Sequence, residues 1–109
     1  MTCSLQPAGI LLEVPLGPES AGNSIRIGIR AGDILLALRQ PEGLSARNLL
    51  SGHVRSLRQR DVTCVAEIDC GVSFEAHLTL AAQRSLQLAP GKPVWMVIKT
   101  YSCHPLRPE

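Results

Sequence analysis

Apolar and polar positions alternate in short bursts along this chain, and glycine and proline cut the bursts apart. Residues 24–30 set Ile25, Ile27 and Ile29 against Arg26, Gly28 and Arg30, the two-residue period of a half-buried strand. The same period recurs over 62–68, where Val62, Cys64, Ala66 and Ile68 oppose Thr63, Val65 and Glu67. It returns over 72–78, with Val72, Phe74, Ala76 and Leu78 inward, and over 94–99, with Val94, Met96 and Ile98 opposite Trp95, Val97 and Lys99. Shorter runs at 10–14, 34–38 and 53–57 predict further strands. Residues 17–23 read as a loop, 31–33 and 39–43 as turns, 58–61 as a polar turn, and Asp69-Cys70-Gly71 as a hairpin turn with Gly71 at positive φ. Thr79 is placed to cap a short helix over 80–86, which Pro90-Gly91 closes. The order β-β-β-α-β over 53–99 predicts an all-β fold, an OB-like small closed barrel with one short helix. Boundaries follow at residue 43, after an N-terminal strand lobe (1–43), and at 103, after the barrel (44–103), leaving a C-terminal tail over 104–109.

Composition narrows the function more than the fold. With 109 residues, 45% of them hydrophobic and 18% charged, the chain suits one small domain with a modest core. Eleven Lys+Arg against nine Asp+Glu leave a net charge of +2, too little to attract nucleic acid by bulk electrostatics. The only aromatics are Phe74, Trp95 and Tyr101, a poor supply for base stacking. No apolar stretch nears the 18 or so residues of a membrane span, and no basic and apolar leader follows Met1. A soluble cytoplasmic domain is expected.

Motifs for catalysis or cofactors fail. Gly91-Lys92 would fit a phosphate loop only with glycine at Leu86 and Ser or Thr at Pro93. No Gly-x-Ser-x-Gly elbow supports a hydrolytic triad. The four cysteines form no C-x-x-C pair, and the three histidines show no ligand spacing, so no catalytic residue, metal or cofactor is expected.

One segment does carry chemistry. Leu44-Ser45-Ala46-Arg47-Asn48 gathers a hydroxyl, a guanidinium and a carboxamide, the donors an oxyanion requires. Thr79 adds a helix N-terminus, and Lys99, beside Thr100 at the end of the last strand, adds a point charge. Each also has an ordinary reading: a solvated Arg47, a capping Thr79, an edge-strand Lys99.

Ser45-Ala46-Arg47-Asn48, continued by Leu50-Ser51-Gly52-His53-Val54, resembles the S-[AI]-R-N-x-[LI]-x-G-x-V opening of molybdate-binding Mop (molbindin) domains. Ala76-His77-Leu78-Thr79 and the stretch from Leu88-Ala89-Pro90-Gly91 to Ile98-Lys99 are similar to that family's second half. Residues 27–38 look like the strand pair joining such a TOBE-type domain to the ATPase of a molybdate ABC transporter. The resemblance implies a barrel that pairs with a second copy and binds molybdate or tungstate where subunits meet. It assigns the anion to Ser45, Ala46 and Arg47, to Thr79 and to Lys99, with Asn48 and Thr100 as neighbours. A tetrahedral dianion wants N–H and O–H donors and one or two cations, with no aromatic and no carboxylate nearby.

The expected function is therefore a non-catalytic regulatory domain of a molybdate or tungstate import ATPase subunit. Its partners would be the oxyanion, a homodimer or higher homo-oligomer, and the transporter's ATPase domain and permease at the inner face of the membrane. The forty or so residues before the Ser-Ala-Arg-Asn loop favour an excised transporter domain over a solitary protein. The alternatives are a ligand-free dimerisation module and a stand-alone molybdate store.

Overall fold

A computed structural model describes residues 2–5, 10–15 and 26–106. Among the described residues nine strands and one α-helix follow in order: β1 (Thr2–Leu5), β2 (Ile10–Glu13), β3 (Arg26–Ile29), β4 (Leu35–Ala37), β5 (Asn48–Arg60), β6 (Thr63–Asp69), β7 (Ser73–Thr79), α1 (Leu80–Ser85), β8 (Pro93–Ile98) and β9 (Cys103–Leu106). All pairings among them are antiparallel. β1 pairs with β2, β3 pairs with β9, and β4-β8-β5-β6-β7 form the main sheet. The expected β-β-β-α-β order is thus present as β5-β6-β7-α1-β8. The sheet does not close through hydrogen bonds between its edges β4 and β7. Instead the 3₁₀ turn Ala31–Asp33, which leads into β4, packs against β7 and shuts the barrel by contact.

The longest element differs most from expectation. β5 covers 13 residues, taking in Asn48, which was expected in a loop, and residues 58–60, expected in a turn. It serves two neighbours in succession, pairing with β8 over Asn48 to His53 and with β6 from His53 to Arg60, with a bulge between Val54 and Ser56. Gly52 sits at that crossing: a Cβ there would lie 2.6 Å from the Asp69 carbonyl oxygen, so only glycine lets the strands approach. The turn after β5 is Asp61-Val62, where Asp61 adopts a φ of 53° and Val62, expected inward, is 80% exposed. At the β6–β7 turn the Asp69 carboxylate accepts the Gly71 N–H at 2.8 Å, and Gly71 takes a φ of 104°, as that turn requires.

A single core joins all regions. Leu12, Val14 and Ile34 from the N-terminal part bury against Val54, Ala66, Ile68, Ala76, Val94, Met96, Ile98 and Cys103. The alternation read over 72–78 holds, whereas Val65 is buried on the face opposite Cys64 and Ile68, and Val97 on the face opposite Met96 and Ile98. β4 belongs to the main sheet and β3 to a ribbon with β9, so pairing crosses residue 43. His104–Leu106, expected as tail, run in a strand. The loop expected over 17–23, Ile25 and residues 107–109 lie outside the described residues. Among the described residues no helix is long and apolar enough to cross a membrane.

Candidate functional site

A cleft of about 650 Å³ opens where the end of β2, the loop before β5 and the residues after β8 meet. It is lined by Glu13, Val14, Pro15, Ser45, Lys99, Thr100 and Tyr101. Strand register accounts for half of this: Asn48 pairs with Ile98, so residues just before β5 and just after β8 emerge side by side. The other half comes from Asn48 itself. Its Oδ1 accepts the Glu13 N–H at 2.7 Å and its Nδ2 donates to the Glu13 carbonyl at 3.0 Å, so the carboxamide acts as a strand rung across 35 residues. At 4% exposure Asn48 is the one buried polar side chain among the described residues, and its Nδ2 also lies 3.8 Å from Cys103 Sγ. A buried carboxamide survives there because its backbone partners satisfy it.

The charges in the cleft are unevenly matched. Glu13 accepts from Arg47 Nε through Oε2 and from Thr100 Oγ1 through Oε1, each at 3.3 Å. The Lys99 carbonyl accepts the Ser102 N–H at 3.0 Å and the Cys103 thiol at 3.7 Å, which holds the 3₁₀ turn that presents Thr100. The Lys99 ammonium and the Ser45 hydroxyl have no partner among the described residues. Two cations therefore face one carboxylate, and the surplus positive charge with adjacent hydroxyls suits an anion.

Of the seven residues singled out from the sequence, Ser45, Lys99 and Thr100 line the cleft and Arg47 reaches it through Glu13. Ala46 is half-buried in the same loop without lining it. Asn48 is committed to the Glu13 backbone and offers the cleft no donor. Thr79 caps α1, its Oγ1 accepting the Ala82 N–H at 3.0 Å. It pairs with Thr63, which pairs with Arg60, so the register places it at the opposite end of β5 from Asn48. Glu13, Val14, Pro15 and Tyr101 escaped sequence reasoning, and a carboxylate and an aromatic stand where neither was expected. Tyr101 follows Thr100 directly and its neighbourhood was a usable signal; Glu13 had none, because its partners lie 34, 35 and 87 residues away.

Elsewhere, polar groups are matched locally. Lys92 donates to the Leu86 and Gln87 carbonyls at 2.9 and 3.3 Å and closes the helix C-terminus. The Gly71 N–H, then Arg55 and His53, hold the Asp69 carboxyl below its usual range. The hydrogen bond to His77, then Arg58 and Arg60, do the same for Glu75. Burial pushes the free thiols of Cys64 and Cys70 up.

The fold is a small OB-type barrel with one short helix and a cleft at one end. The chain belongs to the TOBE domain family, whose profile matches residues 44–105. It is 37% identical over 91 residues to the molybdenum import ATP-binding protein ModC of Rhizobium etli, covering 82% of this chain and 26% of that protein. Against ModC of Rhizobium meliloti the identity is 38% over 92 residues, covering 83% and 26%. The chain thus spans about a quarter of the length of these curated relatives. Among solved structures it is similar to the cytoplasmic molybdate-binding protein ModG in a molybdate-bound crystal form. The TM-score there is 0.81 at 25% identity, covering 94% of this chain and 79% of that one.

Proposed function

We propose that this chain is the oxyanion-binding regulatory domain of a molybdate or tungstate import ATPase, acting without catalysis or a cofactor of its own in the cytoplasm. The observation that carries the reading is the convergence of Ser45, Lys99 and Thr100 in one cleft, with Arg47 at its rim and with Lys99 and Ser45 uncommitted. The ModC relatives and the molybdate-bound ModG structure support the choice of oxyanion and of transporter context. Thr79 lies at the far end of β5, which suits a site completed by a second copy. A homo-oligomer would set one protomer's Thr79 against its partner's cleft, and oxyanion binding there would bias the arrangement of the attached ATPase domains.

Calorimetric titration of the purified chain with molybdate, with sulfate and phosphate as controls, tests this. Molybdate-selective heat at about one anion per subunit or per dimer is the expected result; many anions per assembly would favour the storage alternative. A folded protein that releases no heat with molybdate overturns the oxyanion reading. It would leave a dimerisation module, a reading that the exposed Leu35, Leu38, Leu44 and Tyr101 would then serve.

A further inference from the structure

Glu13 is the only carboxylate lining the cleft among the described residues, and its backbone and side chain are held very differently. The backbone is clamped on both sides by Asn48, at 2.7 and 3.0 Å. The side chain is 38% exposed and meets Arg47 and Thr100 through two contacts of 3.3 Å, at the long end of hydrogen-bonding range. Arg47 is itself 67% exposed, so solvent reaches both partners. The strand is pinned while the carboxylate is free to turn away.

From this we infer that Glu13 is a built-in competitor for the oxyanion, occupying donors that the incoming anion needs and rotating out to solvent when the anion enters. The inference rests on reading the cleft as an oxyanion site. Like charges at contact distance repel, more strongly as water is excluded. A fully ionised tetrahedral oxyanion carries no proton to give Glu13, so no hydrogen bond offsets that repulsion. Thr100 has a single O–H, which it gives to Glu13, so it cannot donate to both anions at once, and Arg47 spends its Nε–H on the same carboxylate. Lys99 and Ser45 remain open to make the first contact. The consequence is a site with lower affinity than its donors alone would provide, one that fills only after free oxyanion has risen further.

The test is Glu13→Gln, which keeps the shape of the side chain and the backbone clamp while removing the charge. Calorimetric titration with molybdate should show binding about tenfold tighter than wild type, the effect of removing one screened like charge. Binding by the variant alone would support the inference equally. If wild type binds and the variant binds equally or more weakly, the competitor role is overturned while the oxyanion site stands. If neither folded protein binds, both fall together. A second readout does not depend on the variant: the Glu13 carboxyl ¹³C signal of wild type should shift as molybdate saturates the site. A signal unmoved at saturation overturns the displacement.

Discussion

The two stretches of β5, one paired with β8 and the other with β6, treat polar groups in opposite ways. Along the stretch that pairs with β6, Arg55 reaches Glu67 at 3.4 Å and Asp69 at 3.0 Å, Ser73 donates to Glu67 at 2.9 Å, and Arg58 pairs with Glu75 at 3.6 Å. These partners sit one or two strands apart in the same sheet, and Arg55 finds its carboxylates 12 and 14 residues away. At the Asn48 end the partners are 35 and 87 residues apart, one carboxylate serves a cation and a hydroxyl, and Lys99 is left over. Matched charges on neighbouring strands stabilise a surface modestly and leave nothing to bind with. A surplus cation in the same cleft as the uncommitted Ser45 hydroxyl is what an anion can use.

The largest effect that would sharpen this contrast is structural. Asn48→Ala leaves the Glu13 N–H and carbonyl without their rung. It should cost about 2–4 kcal/mol of stability by urea denaturation, as buried groups losing partners do. A loss under about 0.5 kcal/mol would show that β2 is held by its apolar side chains alone. Next comes Lys99→Ala, which should weaken molybdate binding by about 1.5–3 kcal/mol, the worth of a charged hydrogen bond, while the melting temperature stays put. Arg55→Ala, in the stretch paired with β6, should leave affinity unchanged; equal losses from both variants would erase the distinction between the two stretches.

A smaller effect is expected at Thr79. Removing the cap with Thr79→Ala should cost about 1 kcal/mol of stability. If the partner's Thr79 completes the site, molybdate affinity falls as well, and a stability loss with unchanged affinity would reduce Thr79 to a cap. The smallest effect is acid sensitivity at the hairpin. Because the folded pKa of Asp69 is depressed, chiefly by the Gly71 N–H, its contribution is full above the ordinary aspartate value near 4 and is lost as pH falls below it. Acid denaturation of Asp69→Asn, followed by circular dichroism, should therefore show a shallower decline below about pH 4 than wild type, since Asn keeps the acceptor but not the charge.

Much of the barrel was legible because its signals are local. The alternation over 72–78, the Asp69-Cys70-Gly71 turn and the Thr79 cap each depend on residues within a few positions, and the structure places all of them as read. β5 was misread at both ends because it changes partners midway, and its polar stretch 58–60 faces solvent opposite β6. β9 was missed because its short run, interrupted by Pro105, is a strand only by virtue of β3, some 75 residues earlier in the chain. Within the cleft, Ser45, Arg47, Lys99 and Thr100 were identifiable by residue type, whereas the role of Asn48 could not be, since a carboxamide suits an anion and a backbone equally.

The sequence by itself determined which faces turn inward, where the chain bends and which donors gather near residue 45, because these follow from periodicity and side-chain chemistry. Only the tertiary structure decided that Asn48 is spent on the Glu13 backbone, that Thr79 lies at the opposite end of β5 from the cleft, and that a carboxylate sits among the hydroxyls and cations around the cleft. Those outcomes depend on pairings between residues far apart in the chain, and the closing of such loops leaves no trace in local spacing.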